Sequence, residues 1–313
     1  MPNNLSAINF QGVWPDVLTP LQADLRIDEA KLCSHVRNLS AKGLEHFVLF
    51  GQAGEGASFS ADEKLSAVAH VIAAGVEAKH ILLGVNSSSL TEVAQFIRKA
   101  KALGVRRFLV SAPLHGQPFS HIALFDYFDQ MIKQVNLSDW QLFIHQLGGI
   151  NHSADLPEVT LADLRKVHPL VFVGMVDQDT HVNHTVDLIR TFGADIAIAT
   201  CHEPNLSILK SPVCVSALAN VIPNVMQHLI ANEVHEQTTK IAGMKVAKPD
   251  DRVVELMTLL GDYPRIAAMK LLLAQHYRME SWEPVRPPQS KLTQEGRVAL
   301  LGAFKTFNLQ ANE

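Results

Sequence analysis

Short apolar runs alternate with longer segments of helical period along the first two thirds of the chain. Val13–Thr19 reads as a strand, and Asp28–Lys42 as a helix with Leu32, Val36 and Leu39 on one face. The next pairs are His46–Phe50 with a helix from Ala61, His80–Gly84 with Leu90–Leu103, and Arg107–Ser111 with His121–Val135. Gln141–His145 and Leu170–Val176 are strands separated by a short helix near Thr160–Val167. His181–Phe192 is a helix, Asp195–Thr200 a strand, Leu206–Lys210 a short turn-helix and Val213–Ala217 the last strand. Ser60 is a candidate N-cap with Glu63 in the capping-box position. Strict alternation implies parallel strands, because each crossover helix returns the chain to the same edge. Eight such units in about 220 residues is the size of a (β/α)8 TIM barrel. From Asn224 onward no strand pattern remains, and helical spacing through Val225–Val234, Val253–Leu260 and Ile266–Tyr277 predicts a C-terminal helical extension. The expected domains are residues 1–223, the barrel, and 224–313, the extension.

Composition narrows the function. The chain has 313 residues, 47% hydrophobic and 19% charged, with a formal net charge of -4. Without clustered Lys/Arg, nucleic acid is excluded as an expected partner. Cys33, Cys201 and Cys214 are three and far apart, which argues against a disulfide framework and for a reducing compartment. Met1–Phe10 lacks the pattern of a signal peptide, and no apolar stretch reaches the ~20 residues of a membrane helix. A cytoplasmic protein with no membrane partner is expected.

Several segments carry a resemblance in order. VWPDVLTPL is followed by a strand ending in GQAGEG, then FSADEK opening a helix; later come SAPLHGQP, CVSALANVIPNVM and MKLLLAQ…VRPPQSKLTQEG. Together these resemble the dihydrodipicolinate synthase and N-acetylneuraminate lyase family over nearly the whole chain. The resemblance implies lyase chemistry in which a strand-six lysine forms a Schiff base with pyruvate or a related 2-oxo acid. It also implies a homo-oligomer, and a Gly-rich loop that holds the substrate carboxylate.

The positions that the resemblance makes catalytic carry other residues. Val176 in VGMVD stands where the lysine is implied. The strand-five tyrosine position falls on Ile144 or, with a one-residue slip, on His145. Gln52 and Ala53 replace the two loop threonines, His115 the interface tyrosine, and the segment near Gly149 has no cation where an arginine is implied. Lys42, Lys79, Lys101, Lys133, Lys166 and Lys210 all precede strands, which places them on the bottom face, opposite the C-terminal strand ends where barrel sites form. A Schiff base is therefore not expected.

The C-terminal strand ends offer other chemistry: Asp16, Glu55, Asn86, His115, His145, Asp177, Asp179, Cys201, His202 and Glu203. The catalytic candidates among them are His115, His145, Asp177, His202 and Glu203. Histidines and carboxylates suit general acid–base work or a Zn²⁺, Mn²⁺ or Fe²⁺ site polarising an oxo-acid carbonyl. No HxH or HExxH spacing supports a metal, and neither metal nor other cofactor is expected. Asp177 and Asp179 also read as helix caps and His145 as a packed strand residue, and this reading is preferred to a metal site. His181 and His184 stand i, i+3 on one helix, a spacing that exposed helix residues share. Trp14, Trp140 and Trp282 read as core or interface residues. Gly51, Gln52, Ala53 and Gly54 form the expected carboxylate site, since backbone N–H groups survive the loss of side chains. The expectation is a divergent family member binding a small carboxylate or oxo-acid without a lysine imine. The alternatives are a metal- or histidine/carboxylate-assisted lyase or hydrolase, and a non-catalytic binding pseudoenzyme.

Overall fold

In a computed structural model of the chain, the described residues are 10–114, 118–148, 155–179, 181–209, 211–231, 238–241, 244–247 and 251–306. Eight strands form one parallel sheet: β1 (Gly12–Pro15), β2 (Phe47–Leu49), β3 (Ile81–Gly84), β4 (Arg107–Ser111), β5 (Gln141–Gln146), β6 (Phe172–Asp177), β7 (Ala197–Thr200) and β8 (Val213–Ser216). They are ordered β1-β8-β7-β6-β5-β4-β3-β2. An Asp16–Val48 bridge, with the Val17 N–H donating to Val48 O at 2.9 Å, brings β1 back to β2 and nearly closes a (β/α)8 barrel.

The helices follow the strands in turn: α1 (Glu29–Ala41), α2 (Ala61–Ala73), α3 (Leu90–Ala102), α4 (His121–Val135), α5 (Glu158–Val167), α6 (Val182–Phe192), α7 (Leu206–Leu209) and α8 (Pro223–Ile230). Ser60 and Glu63 form the expected reciprocal capping box at the start of α2. The strands are buried on both faces, which is why they read as near-continuous apolar runs. One apolar cluster fills the barrel interior, with Trp14, Leu109, Phe143, Val176 and Val215 among its members. A larger one lies between sheet and helices. Trp14, Trp140 and Trp282 are all core residues.

Beyond α8, which spans the expected boundary at residue 224, come α9 (Asp251–Gly261), α10 (Arg265–Tyr277) and α11 (Gln294–Thr306). One expectation needs correcting here. An antiparallel hairpin, β9 (Thr238–Ile241) and β10 (Met244–Ala247), precedes α9 where no strand pattern was read. Its strands, TTKI and MKVA, are four residues each and show too little alternation of polar and apolar positions to stand out from the flanking helical spacing. No described helix is long and apolar enough to cross a membrane.

Candidate functional site

Side chains alternate along a strand, so register decides which strand-end groups reach the barrel mouth. On β5, Ile144 packs outward against the helices, and His145 faces the mouth. Of the two strand-five candidates, the inward position belongs to His145. His145 pairs in register with Val176 of β6, which is fully buried in the barrel interior. Asp177, the next residue, turns outward. Its carboxylate accepts from Thr185 Oγ1 at 2.5 Å and meets His184 Nδ1 at 3.1 Å, so it anchors the start of α6 and does not enter the mouth.

The C-terminal ends of the strands surround a cavity of about 510 Å³. Leu109 and Val215 form part of its apolar lining, and Asp16, His145, Asp179, Cys201, His202 and Glu203 supply polar groups. Three of the five catalytic candidates, His145, His202 and Glu203, thus meet in one pocket. Asp177 does not, and His115 lies outside the described residues, as do Gly149 and Lys210.

Burial sets the state of each group. The His145 ring is driven down to a pKa of about 4 by desolvation, so it is neutral at pH 7. Its Nε2 lies 2.9 Å from Gln178 Oε1, and the Gln178 amide in turn donates to Gln52 Oε1. That chain makes Gln178 Oε1 the acceptor and puts the ring proton on Nε2. Burial pushes the Cys201 thiol well above its usual range, with Asp16 and Glu203 adding to the effect, so it stays protonated and unreactive. His202 Nδ1 lies 3.0 Å from the Asn205 amide.

Glu203 is fully committed. Its Oε1 accepts from Ser216 Oγ at 2.6 Å and the Leu218 N–H at 2.9 Å, and its Oε2 from Arg265 Nη2 at 3.0 Å. Arg265, the first residue of α10, enters the cavity from the C-terminal extension. Sequence reasoning missed it, because it looked for the cation in LGGIN after β5 and nothing local marks Arg265 as facing the barrel.

The Gly-rich loop after β2 holds an anion, and the anion is the protein's own. Asp16, which follows β1, is 7% exposed and its Oδ2 accepts from the Ala53 N–H at 2.8 Å. Burial raises its pKa to about 6 against the lowering pull of the Ala53, Gly54 and Gln52 N–H groups, and Glu203 raises it further. The Oδ1 atom has no hydrogen-bond partner and packs so closely on Gly51 that no Cβ fits there.

Two buried lysines also escaped the sequence survey. Lys64 Nζ donates to Val85 O at 2.6 Å and Gly84 O at 3.3 Å, and burial pulls its pKa down to about 8. Lys270 Nζ donates to Pro284 O at 2.9 Å and pairs with Glu55. Neither lines the cavity, nor does any other lysine among the described residues. His181 and His184 bind separate carboxylates, Asp179 and Asp177, and do not converge. Among the described residues no three His, Cys, Asp or Glu side chains are placed to hold a metal ion.

The model of the dihydrodipicolinate synthetase family matches residues 9–306. The chain belongs to that family. A 4-hydroxy-tetrahydrodipicolinate synthase from Haloarcula marismortui is 24% identical over 301 residues, covering 93% of this chain and 92% of that protein. Dihydrodipicolinate synthase from Agrobacterium tumefaciens superposes with a TM-score of 0.83 at 24% identity, covering 95% of this chain and 99% of the other. A prophage protein of the same family from E. coli, solved in complex with pyruvate, gives 0.82 at 20% identity over 96% and 100% of the two chains. The likeness to these solved structures carries the barrel fold, and the site must be argued from this family member's own residues.

Proposed function

We propose that the cavity at the barrel mouth binds a small carboxylate or 2-oxo acid without forming a lysine imine. The observation that carries this reading is the cavity's set of charged groups: one guanidinium, Arg265, and no amine among the described residues. An imine needs an unprotonated primary amine within bonding reach of the carbonyl carbon. Val176 lies in the apolar layer beneath the cavity, and Lys64 and Lys270 are spent on carbonyls and on Glu55.

Arg265 can grip an acid group because, among the described residues, only one of its nitrogens is engaged. Glu203 fixes it at 3.0 Å while the side chain remains 45% exposed. A guanidinium held by a buried carboxylate presents its remaining donors to a ligand carboxylate at little further entropy cost.

A second reading is favoured by Asp16 and His145. At pH 7 the first, titrating near 6, is mostly a carboxylate and the second a neutral imidazole, so the cavity holds two unprotonated groups able to take a proton from the bound oxo-acid. This would be a histidine/carboxylate-assisted lyase or hydrolase reaction with no covalent intermediate.

Pyruvate is the probe, since one structural relative was solved with it. Purified protein is incubated with pyruvate, reduced with borohydride and weighed intact, beside a calorimetric titration. Binding with unchanged mass is expected; a pyruvyl adduct overturns the reading.

A further inference from the structure

We propose that Asp16 is the specificity-determining residue of the cavity: its carboxylate fills the backbone cradle of Gln52, Ala53 and Gly54 and closes that cradle to the acid group of any ligand. The proposal rests on the cavity being a ligand site, and it goes further by saying which subsite is open and which is shut.

A run of backbone N–H groups converging after a strand is an anion site whatever side chains it carries, because the donors belong to the main chain. Here the Ala53 N–H donates at 2.8 Å to a carboxylate that is nine-tenths buried, and the neighbouring Gln52 and Gly54 N–H groups also favour its charge. The fit is tight on the other side as well, since Oδ1 lies against Gly51 with no donor of its own. A ligand carboxylate could reach the same N–H groups only by displacing Asp16, and an Asp16 still in the cavity would repel it. The rest of the lining reinforces the exclusion. Among the described residues, Asp16, Asp179 and Glu203 set three carboxyl groups against one guanidinium. The ligand class that fits is therefore a monocarboxylate anchored on Arg265 alone, its other end uncharged.

The test uses pyruvate with the full chain, reading calorimetric affinity together with the backbone amide resonances of Gln52, Ala53 and Gly54. In the wild type those three amides are expected to stay unmoved at saturating pyruvate. Asp16→Gly and Asp16→Ala empty the cradle and are expected to bind pyruvate roughly tenfold tighter or better, with large shifts at all three amides. Asp16→Asn keeps the space filled and is expected to gain nothing. The gain in Asp16→Gly should persist when Arg265→Met is added, because the cradle is a separate anchor. Wild-type shifts at the three amides overturn the proposal. So does a folded Asp16→Gly or Asp16→Ala protein that gains no binding, or an Asp16→Asn protein that gains as much as Asp16→Gly. If the wild type binds no pyruvate but Asp16→Gly binds through the amides, the closure stands and the Arg265 reading falls. Should both small-residue variants fail to fold, the wild-type amides and Asp16→Asn decide the matter.

Discussion

Lys270 of α10 and Glu55 of the loop after β2 form an ion pair in which both side chains are completely withdrawn from solvent. The same Glu55 accepts from the Arg286 N–H at 2.9 Å, and Arg286 clamps Glu63 at 2.7 Å, so the extension is bolted to the site loop through charges. Removing one partner leaves an uncompensated buried charge, which costs about 3–5 kcal/mol. Lys270→Met should lose that much in urea unfolding, and Glu55→Leu with Lys270→Met should recover most of it. A double variant as unstable as the single one would show that the pair holds more than itself.

Arg265 governs affinity in the proposed site. Arg265→Met removes the charged hydrogen bond to a ligand carboxylate, worth roughly 1.5–3 kcal/mol, so pyruvate affinity should fall by about one to two decades. The change also leaves Glu203 buried without its cation, so the unfolding midpoint must be followed beside the titration. Oxaloacetate, with a second acid group facing Asp16 and Asp179, should bind the wild type more weakly than pyruvate. Equal affinities would contradict the acidic lining.

Stability should respond to acid with a predictable sign. His35, His46 and His145 are each lowered to about 4 from 6.5 by burial, so between those values the unfolded chain binds a proton that the folded one refuses. Their effect is a loss of stability as pH falls below 6.5. Asp16 is opposite: raised to about 6 from 3.8, its folded form holds the extra proton, and it removes stability as pH rises through that window. Near pH 5 the two fully buried histidines, His35 and His145, less Asp16 give about one proton taken up on unfolding, or roughly 1.4 kcal/mol lost per pH unit of acidification, and part-buried His46 adds a solvent-screened fraction. Asp16→Asn should steepen the loss toward two protons or more and raise stability at pH 8. A flat profile from pH 7 to 5 would refute the burial of the histidines.

The barrel was legible because burial on both faces makes each strand a short apolar run, and because eight alternations leave little topological choice. The strand-end inventory was legible too, but not its orientation. Val176 and Asp177 are adjacent, so if one points into the barrel the other must point out, and that alternation was available in VGMVD. What pattern could not show is pairing across long separations. Asp16 meets Ala53 across 37 positions and Arg265 meets Glu203 across 62, and neither partner carries a local mark of the other. The same holds for Lys64, whose helix position says nothing of the strand-three carbonyls it caps.

The strongest test of what residue 176 means is to put an amine there. Val176 is fully buried, yet Leu109 and Val215, which pack in the same interior cluster, already touch the cavity. A lysine stem at this register would lie along that apolar layer and carry its amine to the cavity floor. Desolvation would lower the amine's pKa and raise the fraction able to attack a ketone at neutral pH. Burying the charged form should cost about 2–4 kcal/mol, visible as a lower unfolding midpoint. In Val176→Lys protein that still folds, pyruvate and borohydride should therefore yield a pyruvyl adduct on residue 176, mapped by peptide mass, while the wild type yields none. A folded variant without adduct would mean that the cavity floor is not where an imine can form. The absence of lysine on β6 would then say nothing about the chemistry of this chain.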